Sequence, residues 1–410
     1  MSIDDLFILS STLFFLYITT VYLILFFENK DKALTDPVPK KFPLVSVVIP
    51  AYNEEDTIAG TVKSVLALVY PKPIEVLVVD DGSTDQTAAI ARGIKGVKVL
   101  SKPNGGKGSA INQGIRAAKG ELIATVDADS FVKPDALMKM VGYLEDGKVG
   151  AVSSSILVHE PQNLLQGIQF VEYVGMNYIR KNNDFLDSLF VTPGPLSVFR
   201  KSALLEAGLF DEQALSEDME IALRLHTRGY RIKHSVNALV TSVSPDSLGE
   251  LFNQRIRWYR GALMNGRKYS FLFFNPAYRH LGMFVFPINF IIFGILAILL
   301  TRGAVITVGG IPVALDKLSR LLALEGGSRS AYLGSLLNPL YFATIGNFFL
   351  LVSLLFFAAY FSVSFWLSRE KFRWVYVPFL ILYLTVWNIL IGLAFFVGLF
   401  RELFGVHRRW

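Results

Sequence analysis

The sequence contains no cysteine and few charged residues for its length. None of the 410 residues is cysteine, which excludes a disulfide framework, thiolate zinc sites and cysteine nucleophiles. Charged residues make up only 18%, against roughly 25% in an average soluble domain. Hydrophobic residues make up 52%. The composition favours a membrane protein, with carboxylates and imidazoles as the remaining side chains for metal binding or base chemistry.

Charge is absent from four long windows of the sequence. They are Leu6 to Phe27, Met283 to Leu300, Asn338 to Leu367 and Val375 to Phe400. As helices, each is long enough to cross a hydrocarbon core of about 30 Å. Buried core helices are the alternative, but such helices rarely run this long without a charge. The sequence therefore predicts one N-terminal and about three C-terminal transmembrane helices.

The first window has the features of an uncleaved anchor rather than of a signal peptide. No basic segment precedes it, and no small-residue cleavage site follows it. Asp4 and Asp5 lie before it, whereas four lysines follow it within residues 30–41. The positive-inside rule predicts an external N-terminus and a cytoplasmic domain next, in a multi-pass protein of the cell membrane. Basic residues between 301 and 337 fit the rule less well, which leaves the C-terminal topology open.

The net charge is +6, and the basic residues gather near the predicted membrane-flanking segments. This distribution indicates membrane topology and phosphate binding rather than a nucleic-acid surface, so we expect no nucleic-acid partner.

Between Lys40 and Arg279, short β-branched runs alternate with helical stretches. The runs are Leu44 to Pro50, Ile74 to Val79, Val97 to Leu100 and Leu122 to Val126. The helical stretches lie near residues 54–68, 85–93, 108–118 and 134–144. This alternation predicts an α/β domain with a parallel sheet and crossover helices. Ligands of such sheets bind beyond the carboxyl ends of the strands, where four compact polar loops occur.

The glycine-rich loop around Lys107 does not match the common nucleotide motifs. It lacks the third glycine of a dinucleotide fingerprint, and Gly108 follows Lys107 where a P-loop needs Ser or Thr. A lysine among glycines at a helix start can still contact a diphosphate.

Two further loops and a helix start carry candidate carboxylates. Asp127 and Asp129, at a strand end, are suited to one hard divalent cation, although Asp-x-Asp also occurs in ordinary turns. Asp81 lies in DDGS, which is equally an ordinary turn sequence. Glu217 and Asp218 open a predicted helix behind Ser216 as N-cap, where helix-dipole stabilisation alone would also explain them.

A second helix places Gln254, Arg257 and Trp258 on one face by i, i+3 and i, i+4 spacing. A basic helix with a tryptophan just before a membrane span is also typical of an interface anchor. The five histidines show no paired ligand spacing, so we interpret them as structural or surface residues.

Seven motifs in one order resemble the membrane-integrated, processive family-2 glycosyltransferases, the group of hyaluronan, cellulose, chitin and poly-N-acetylglucosamine synthases. Between Val47 and Trp258 they are VVIPAYNEE, VVDDGSTD, NGGKGSAINQG, DADS, TPGPLSVFR, SEDMEIALRL and QRIRW. The resemblance implies a cytosolic GT-A (Rossmann-like) domain at 40–245 and a transmembrane helix at 1–28. It further implies interface helices with QxxRW at 246–281 and a transmembrane region at 282–410. It also favours a membrane-facing interface helix within Pro161 to Arg180, although its apolar residues can equally pack in the core.

The resemblance also implies roles for individual residues. It puts Tyr52, Glu54 and Asp81 around the uridine and Lys107 near the diphosphate. Asp127 and Asp129 become the DxD pair that holds Mg²⁺ or Mn²⁺, with Asp129 the firmer ligand. Asp218, beside Glu217, would be the general base. In QxxRW, which includes Gln254, Arg257 would lie at the diphosphate and Trp258 beneath the acceptor sugar.

These roles predict inverting transfer from a UDP-sugar to a growing β-linked glycan, coupled to its passage across the membrane. UDP-N-acetylglucosamine and UDP-glucose are the expected donors, and membrane lipids are expected partners. The main alternative is a non-processive enzyme that glycosylates a lipid, similar to ceramide glucosyltransferase. A transporter or receptor for nucleotide-sugars would not require a base such as Asp218 together with a DxD pair.

Overall fold

The computed structural model describes residues 3–299 and 345–405. One eight-stranded sheet, formed by strands within residues 45–242, is the centre of the α/β domain. Its strands are β1 Val45–Ala51, β2 Glu75–Asp80, β3 Val97–Ser101, β4 Leu122–Thr125, β5 Ser130–Val132, β6 Val149–Val158, β7 Ser197–Arg200 and β8 Arg231–Ser242. The four predicted strands are therefore present as β1 to β4.

The strand order is β3-β2-β1-β4-β7-β6-β8-β5. The first four strands are parallel, as predicted. Beyond β4 the sheet is mixed: β7 is antiparallel to both β4 and β6, β8 is parallel to β6, and β5 is antiparallel to β8. The second half of the sheet was not predicted.

Helices cover both faces of the sheet, and further helices precede and follow it in the chain. They are α1 Ile3–Glu28, α2 Lys30–Ala33, α3 Ile58–Leu66, α4 Thr87–Arg92, α5 Lys107–Ala117, α6 Ala136–Val141, α7 Leu164–Phe185, α8 Lys201–Ala207, α9 Glu217–Thr227, α10 Leu248–Lys268, α11 Leu281–Leu299, α12 Ile345–Leu367 and α13 Tyr376–Leu403. A π-helical turn interrupts α13 at Tyr383–Trp387.

Two hydrophobic clusters form the core, one on each face of the sheet. Val47 and Ile49 of β1 belong to the first cluster, whereas the intervening Val48 belongs to the second. Because successive side chains of a strand point to opposite faces, a central parallel strand covered on both sides is apolar throughout. This burial accounts for the run of hydrophobic residues in β1 and holds the polar loops at its carboxyl end in place.

Three described helices are long and apolar enough to cross a membrane: Leu6–Glu28, Leu281–Leu299 and Tyr376–Leu403. Helix α12 is the apolar helix of the predicted third window, whose residues 338–344 lie outside the described residues. The chain divides into two compact units, Met1–Ile24 with Ile291–Ser362 and Leu25–Phe290 with Val363–Trp410.

Helix α7 packs inside the protein, so the expectation that its apolar side chains face the membrane was wrong. Val171, Val174 and Tyr178 are buried, at 0%, 0% and 1% exposure. Phe170 stacks on Tyr376 of α13, with ring centroids 5.3 Å apart. Asn177 pairs with the backbone of β6 by donating to the Ile156 carbonyl at 3.0 Å and accepting from its N–H at 3.2 Å. Asn177 of α7 therefore binds neighbouring backbone instead of facing water.

Candidate active site

The candidate site lies at the carboxyl ends of β1, β2 and β4, as predicted. The loop after β1 turns through Asn53, whose φ of 53° is left-handed. The Asn53 side chain accepts a hydrogen bond from the Thr84 N–H at 2.9 Å, which fastens this loop to the one after β2. Tyr52 is 48% exposed beside it, and the Glu54 carboxylate accepts from the Thr57 hydroxyl at 2.7 Å.

Asp81 is buried and holds the glycine-rich loop. Its two carboxylate oxygens accept from the backbone N–H groups of Gly105 at 3.0 Å and Gly106 at 2.8 Å. Lys102 adds an ion pair at 2.5 Å. Asp81 thus positions the loop that begins α5 and does not join the carboxylate cluster beyond it; its contact with a uridine stays a prediction.

Lys107, the first residue of α5, connects two of the predicted carboxylates. Its Nζ lies 2.6 Å from Asp127 Oδ1 and 3.2 Å from Glu217 Oε1. Burial alone would lower the pKa of Lys107, but Asp127 and Glu217 outweigh it and raise that pKa. The ammonium is therefore firmly charged. Residues more than 80 positions apart in sequence meet here, which puts the glycine-rich loop, the DxD pair and the start of α9 in one place.

Gly194 allows this ion pair to form. A Cβ at this position would lie 2.3 Å from Asp127 Oδ2 and 2.5 Å from Lys107 Nζ. The Gly194 carbonyl also accepts from the Asp127 N–H at 3.1 Å, so the backbone of the two loops is in direct contact. Any larger residue would separate Lys107 from Asp127. The signal was present in the motif TPGPLSVFR, but its purpose is visible only in three dimensions.

Asp129 lies in a more negative environment than Asp127. Burial and the neighbouring Asp127 raise its pKa to about 7, and Glu54 adds to the effect. Ser130 and Ser242 donate hydrogen bonds to Asp129 Oδ1 at 2.9 and 3.3 Å. Concentrated carboxylate oxygens with too little compensating charge are the donor set that a hard divalent cation stabilises. The residues present therefore fit such a cation, although no cluster of three or more ligating side chains occurs in residues 3–299 or 345–405.

Asp218 lies in the first turn of α9, beside Glu217. Burial and the Glu217 charge raise its pKa to about 6, while Lys107 and Arg257 act in the opposite direction. One oxygen, Oδ1, accepts from the Met219 N–H at 2.7 Å. Thr192 fixes the backbone here, because its hydroxyl donates to the Asp218 carbonyl at 2.9 Å. A half-buried carboxylate with a pKa near neutrality has the properties of a general base.

Helix α10 packs tightly against the start of α9. A Cβ at Gly261 would lie 2.0 Å from Ser216 Oγ, and Asn265 donates to the Ser216 carbonyl at 3.3 Å. Ser216 occupies the N-cap position as predicted, but its hydroxyl makes no capping hydrogen bond. That detail of the prediction was wrong, because Ser216 is pressed against α10.

Gln254, Arg257 and Trp258 are all half-buried on α10. Arg257 acts electrostatically on Asp218, which brings the QxxRW motif to the site. Gln254 Oε1 is buried and accepts no hydrogen bond from any residue that the structure describes. A buried acceptor without a donor is costly to the fold, so it is suited to meet a ligand hydroxyl or N–H.

Two residues of α7, Tyr173 and Arg180, also interact with this region, and no motif singled them out. Burial raises the pKa of Tyr173, and the charge of Asp129 adds to it. Arg180, two turns along the helix, interacts electrostatically with Asp218 and Tyr173. Their i, i+7 spacing was the available signal, since residues seven apart share a helix face.

Comparison with known proteins agrees with this geometry. Residues 46–208 match glycosyl transferase family 2. The poly-beta-1,6-N-acetyl-D-glucosamine synthase of Staphylococcus aureus (strain MSSA476) is 34% identical over 223 residues, 53% of this chain and 54% of that protein. The synthase of the same name from Staphylococcus epidermidis is 32% identical over the same shares. The chain thus spans about half the length of the curated relatives it matches.

A mannosyltransferase from Pyrobaculum calidifontis, solved with GDP-mannose and Mn²⁺, has the same fold. The TM-score is 0.57, with 19% identity over 97% of this chain and 99% of that one. The sheet therefore has a GT-A-type α/β fold. Within it, residues 46–208 are similar to glycosyl transferase family 2.

Proposed function

We propose that this protein is an inverting, processive synthase. It transfers a sugar from a UDP-sugar to the end of a growing β-linked polysaccharide and passes the polymer across the membrane. The observation that carries the proposal is the half-buried Asp218 beside the Lys107–Asp127 ion pair at the strand ends. This arrangement combines a base for an acceptor hydroxyl with cations for a leaving diphosphate.

Asp218 is the base in this mechanism. A sugar hydroxyl is a poor nucleophile, so Asp218 removes its proton as the oxygen attacks C1 of the donor. The bond from C1 to the diphosphate breaks in the same displacement, and UDP leaves with the bonding electrons. An α-linked donor therefore gives a β-linked product without a covalent enzyme intermediate.

Lys107 and Arg257 stabilise the charge that develops on the leaving UDP. Arg257 offers a planar fork to phosphate oxygens, whereas Lys107 acts as a point charge. Asp129 and Asp127 would hold Mg²⁺ or Mn²⁺, which supplies further positive charge to the diphosphate. Tyr52, Glu54 and Asp81 are assigned to the nucleoside side, and Gln254 and Trp258 to the acceptor.

UDP-N-acetylglucosamine is the leading donor, because two relatives are named as N-acetylglucosamine polymer synthases. UDP-glucose is the second. The three apolar helices support a multi-pass protein of the cell membrane with a cytoplasmic catalytic domain at residues 40–245. We retain the boundaries 1–28, 246–281 and 282–410 for the anchor, the QxxRW helices and the C-terminal membrane region.

Product analysis of the purified protein tests this proposal. The protein is incubated with UDP-N-acetylglucosamine or UDP-glucose plus Mg²⁺ or Mn²⁺, and UDP release and product length are measured. Long glycans retained by the detergent-solubilised enzyme are expected with one donor. A single sugar on an extractable lipid would identify the lipid glycosyltransferase instead. No UDP release with any donor would refute the transfer itself.

A further inference from the structure

The second residue of the QRIRW motif forms a buried ion pair that the mechanism above does not use. Arg255 is 2% exposed, and its Nη2 lies 2.6 Å from Glu172 Oε2 on α7. Glu172 is 7% exposed. Burying both charges costs more free energy than packing apolar residues of similar size, so stability alone gives no reason for the pair.

A residue of the last apolar helix completes this pair. Trp387 ends the π-helical turn of α13 and is 2% exposed. Its indole N–H donates to Glu172 Oε1 at 3.2 Å, so both carboxylate oxygens of Glu172 are engaged. Arg255 Cζ also lies 5.4 Å from the centre of the Trp387 ring. The Arg255 guanidinium is thereby held in place by residues of α7 and of α13, a candidate membrane span.

The held guanidinium lies directly over the ring of Trp258. Arg255 Cζ is 4.1 Å from the centroid of that ring, close enough for cation–π attraction and planar stacking. Trp258 itself is half-buried. The flat cation therefore restricts the tilt of the indole, which a flexible ammonium group cannot do.

We propose that Arg255 is a positioning residue for acceptor binding. Fixed by Glu172 and Trp387, it sets the plane of the Trp258 ring on which the terminal acceptor sugar rests. The orientation of the acceptor site is thus determined partly by α13. This inference rests on the proposed function through the role of Trp258.

Fluorine NMR tests the geometry without requiring activity. The full chain labelled with 5-fluorotryptophan should give five resonances, one for each tryptophan, and Trp258→Phe identifies that of Trp258. Arg255→Lys keeps the charge opposite Glu172 but removes the planar group, so the Trp258 resonance should shift. Arg260→Lys is the matched control. It changes a buried arginine on the same helix that pairs with Glu402 of α13 at 3.7 Å, and it should leave the Trp258 resonance in place.

Acceptor kinetics test the consequence. In Arg255→Lys, the acceptor-oligosaccharide concentration for half-maximal rate should rise roughly tenfold, as expected for loss of a desolvated cation–π contact. Donor hydrolysis to water and the donor KM should stay at the wild-type values. Trp387→Phe keeps an aromatic ring but removes the N–H donor together with the five-membered ring of the indole, so it should change the same two readouts in the same direction. Trp387→Phe is also the substitute test if Arg255→Lys does not fold.

An unshifted Trp258 resonance in Arg255→Lys and Trp387→Phe would overturn the inference. Equal losses of acceptor use and donor hydrolysis would also overturn it, since a purely structural or diphosphate-binding role predicts them. Failure of the proposed function is distinguishable, because wild-type protein would then release no UDP while the resonance shifts remained measurable.

Discussion

The aspartates of the site are the same side chain in different surroundings. Asp127 faces the Lys107 ammonium at 2.6 Å, whereas Asp129 and Asp218, both half-buried, each have a neighbouring carboxylate. Burial and like charge raise the pKa of Asp129 to about 7 and that of Asp218 to about 6. Environment separates carboxylates into roles in this way: one in a fixed ion pair, one suited to a cation and one suited to accept a proton.

Replacing Asp218 by Asn tests its role as base. The change is nearly isosteric and leaves the Lys107–Asp127 pair in place, so UDP binding should be retained. Sugar transfer should fall by roughly 100-fold or more, as expected for loss of general-base catalysis. Isothermal titration with UDP and a transfer assay measure the two effects. Glu250→Gln, an exposed carboxylate in the first turn of α10, is the control and should retain activity. Transfer near the wild-type rate in Asp218→Asn would show that Asp218 is not the base and only stabilises the N-terminus of α9.

The raised pKa of Asp218 predicts the acid limb of the pH profile. Its base form is lost as the pH falls through about 6, so kcat/KM should drop tenfold per unit below that value. Above it, kcat/KM should reach a plateau. Rates from pH 5 to 8 measure the limb, which should be absent from the residual activity of Asp218→Asn. A limb that persists in this variant would have to arise from another group, such as Asp129.

Removal of the cation site is expected to stop turnover. Asp129→Ala deletes a carboxylate whose pKa is raised by burial and by Asp127, and excess EDTA removes the ion itself. Both should abolish UDP release, and Mg²⁺ or Mn²⁺ should restore only the EDTA-treated wild type. Asp135→Ala, which removes an exposed carboxylate that pairs with Lys139 at 2.6 Å, should stay active. Full activity in Asp129→Ala or in EDTA would exclude the metal assignment.

Motif order selected these aspartates as candidates, but it did not reveal their partners. That Lys107 bridges Asp127 and Glu217 depends on the packing of α5, β4 and α9, which are far apart along the chain. For the same reason Asp81, expected at the uridine, was not predicted to hold the glycine-rich loop. Tertiary hydrogen bonds of this kind leave no local pattern in the sequence.

At the scale of elements, the close contact between α9 and α10 sets the distance from Asp218 to the QxxRW motif. Gly261→Ala would put a methyl group 2.0 Å from Ser216 Oγ and force the helices apart. Overpacking of this kind costs about 1–3 kcal/mol, so the melting temperature should fall and transfer should fall with it. Thermal melting in detergent and UDP release measure both.

Gly249→Ala is the matched control for Gly261→Ala, because its Cβ on the same helix meets nothing within 4 Å. It should cause no loss of stability or activity. Adding Ser216→Gly to Gly261→Ala removes the clashing hydroxyl and Cβ, and glycine is tolerated at an N-cap. This double variant should regain stability. If Gly261→Ala melts and transfers sugar like the wild type, helix contact does not control the site.

The parallel half of the sheet was predictable from sequence and the mixed half was not. Strands β1 to β4 alternate with helices, and this is the pattern that specifies a parallel sheet. In contrast, β7 enters between β4 and β6 and the short β5 pairs with β8, more than 90 residues later. Nonlocal pairing of this kind depends on which edges remain free during assembly, and hydrophobic periodicity does not encode it.

At the scale of the whole molecule, the absence of cysteine makes membrane topology directly testable. Any introduced cysteine is the only thiol in the chain. With the N-terminus outside, a membrane-impermeant maleimide should label Ser2→Cys in intact cells. It should label Lys72→Cys, an exposed position of the domain, only after permeabilisation. The reverse labelling pattern would place the catalytic domain outside the cell.

The contacts of α13 with the catalytic domain define which pieces of this protein can be exchanged. Phe170, Glu172 and Arg260 have partners on α13, namely Tyr376, Trp387 and Glu402. A chimera with the first 281 residues of this chain and the remaining helices of another protein would leave the buried side chains of Glu172 and Arg260 without these partners. Such a chimera is therefore expected to be less stable than either parent. The structural module is discontinuous in sequence, because its final helix packs with a domain that begins more than 300 residues earlier.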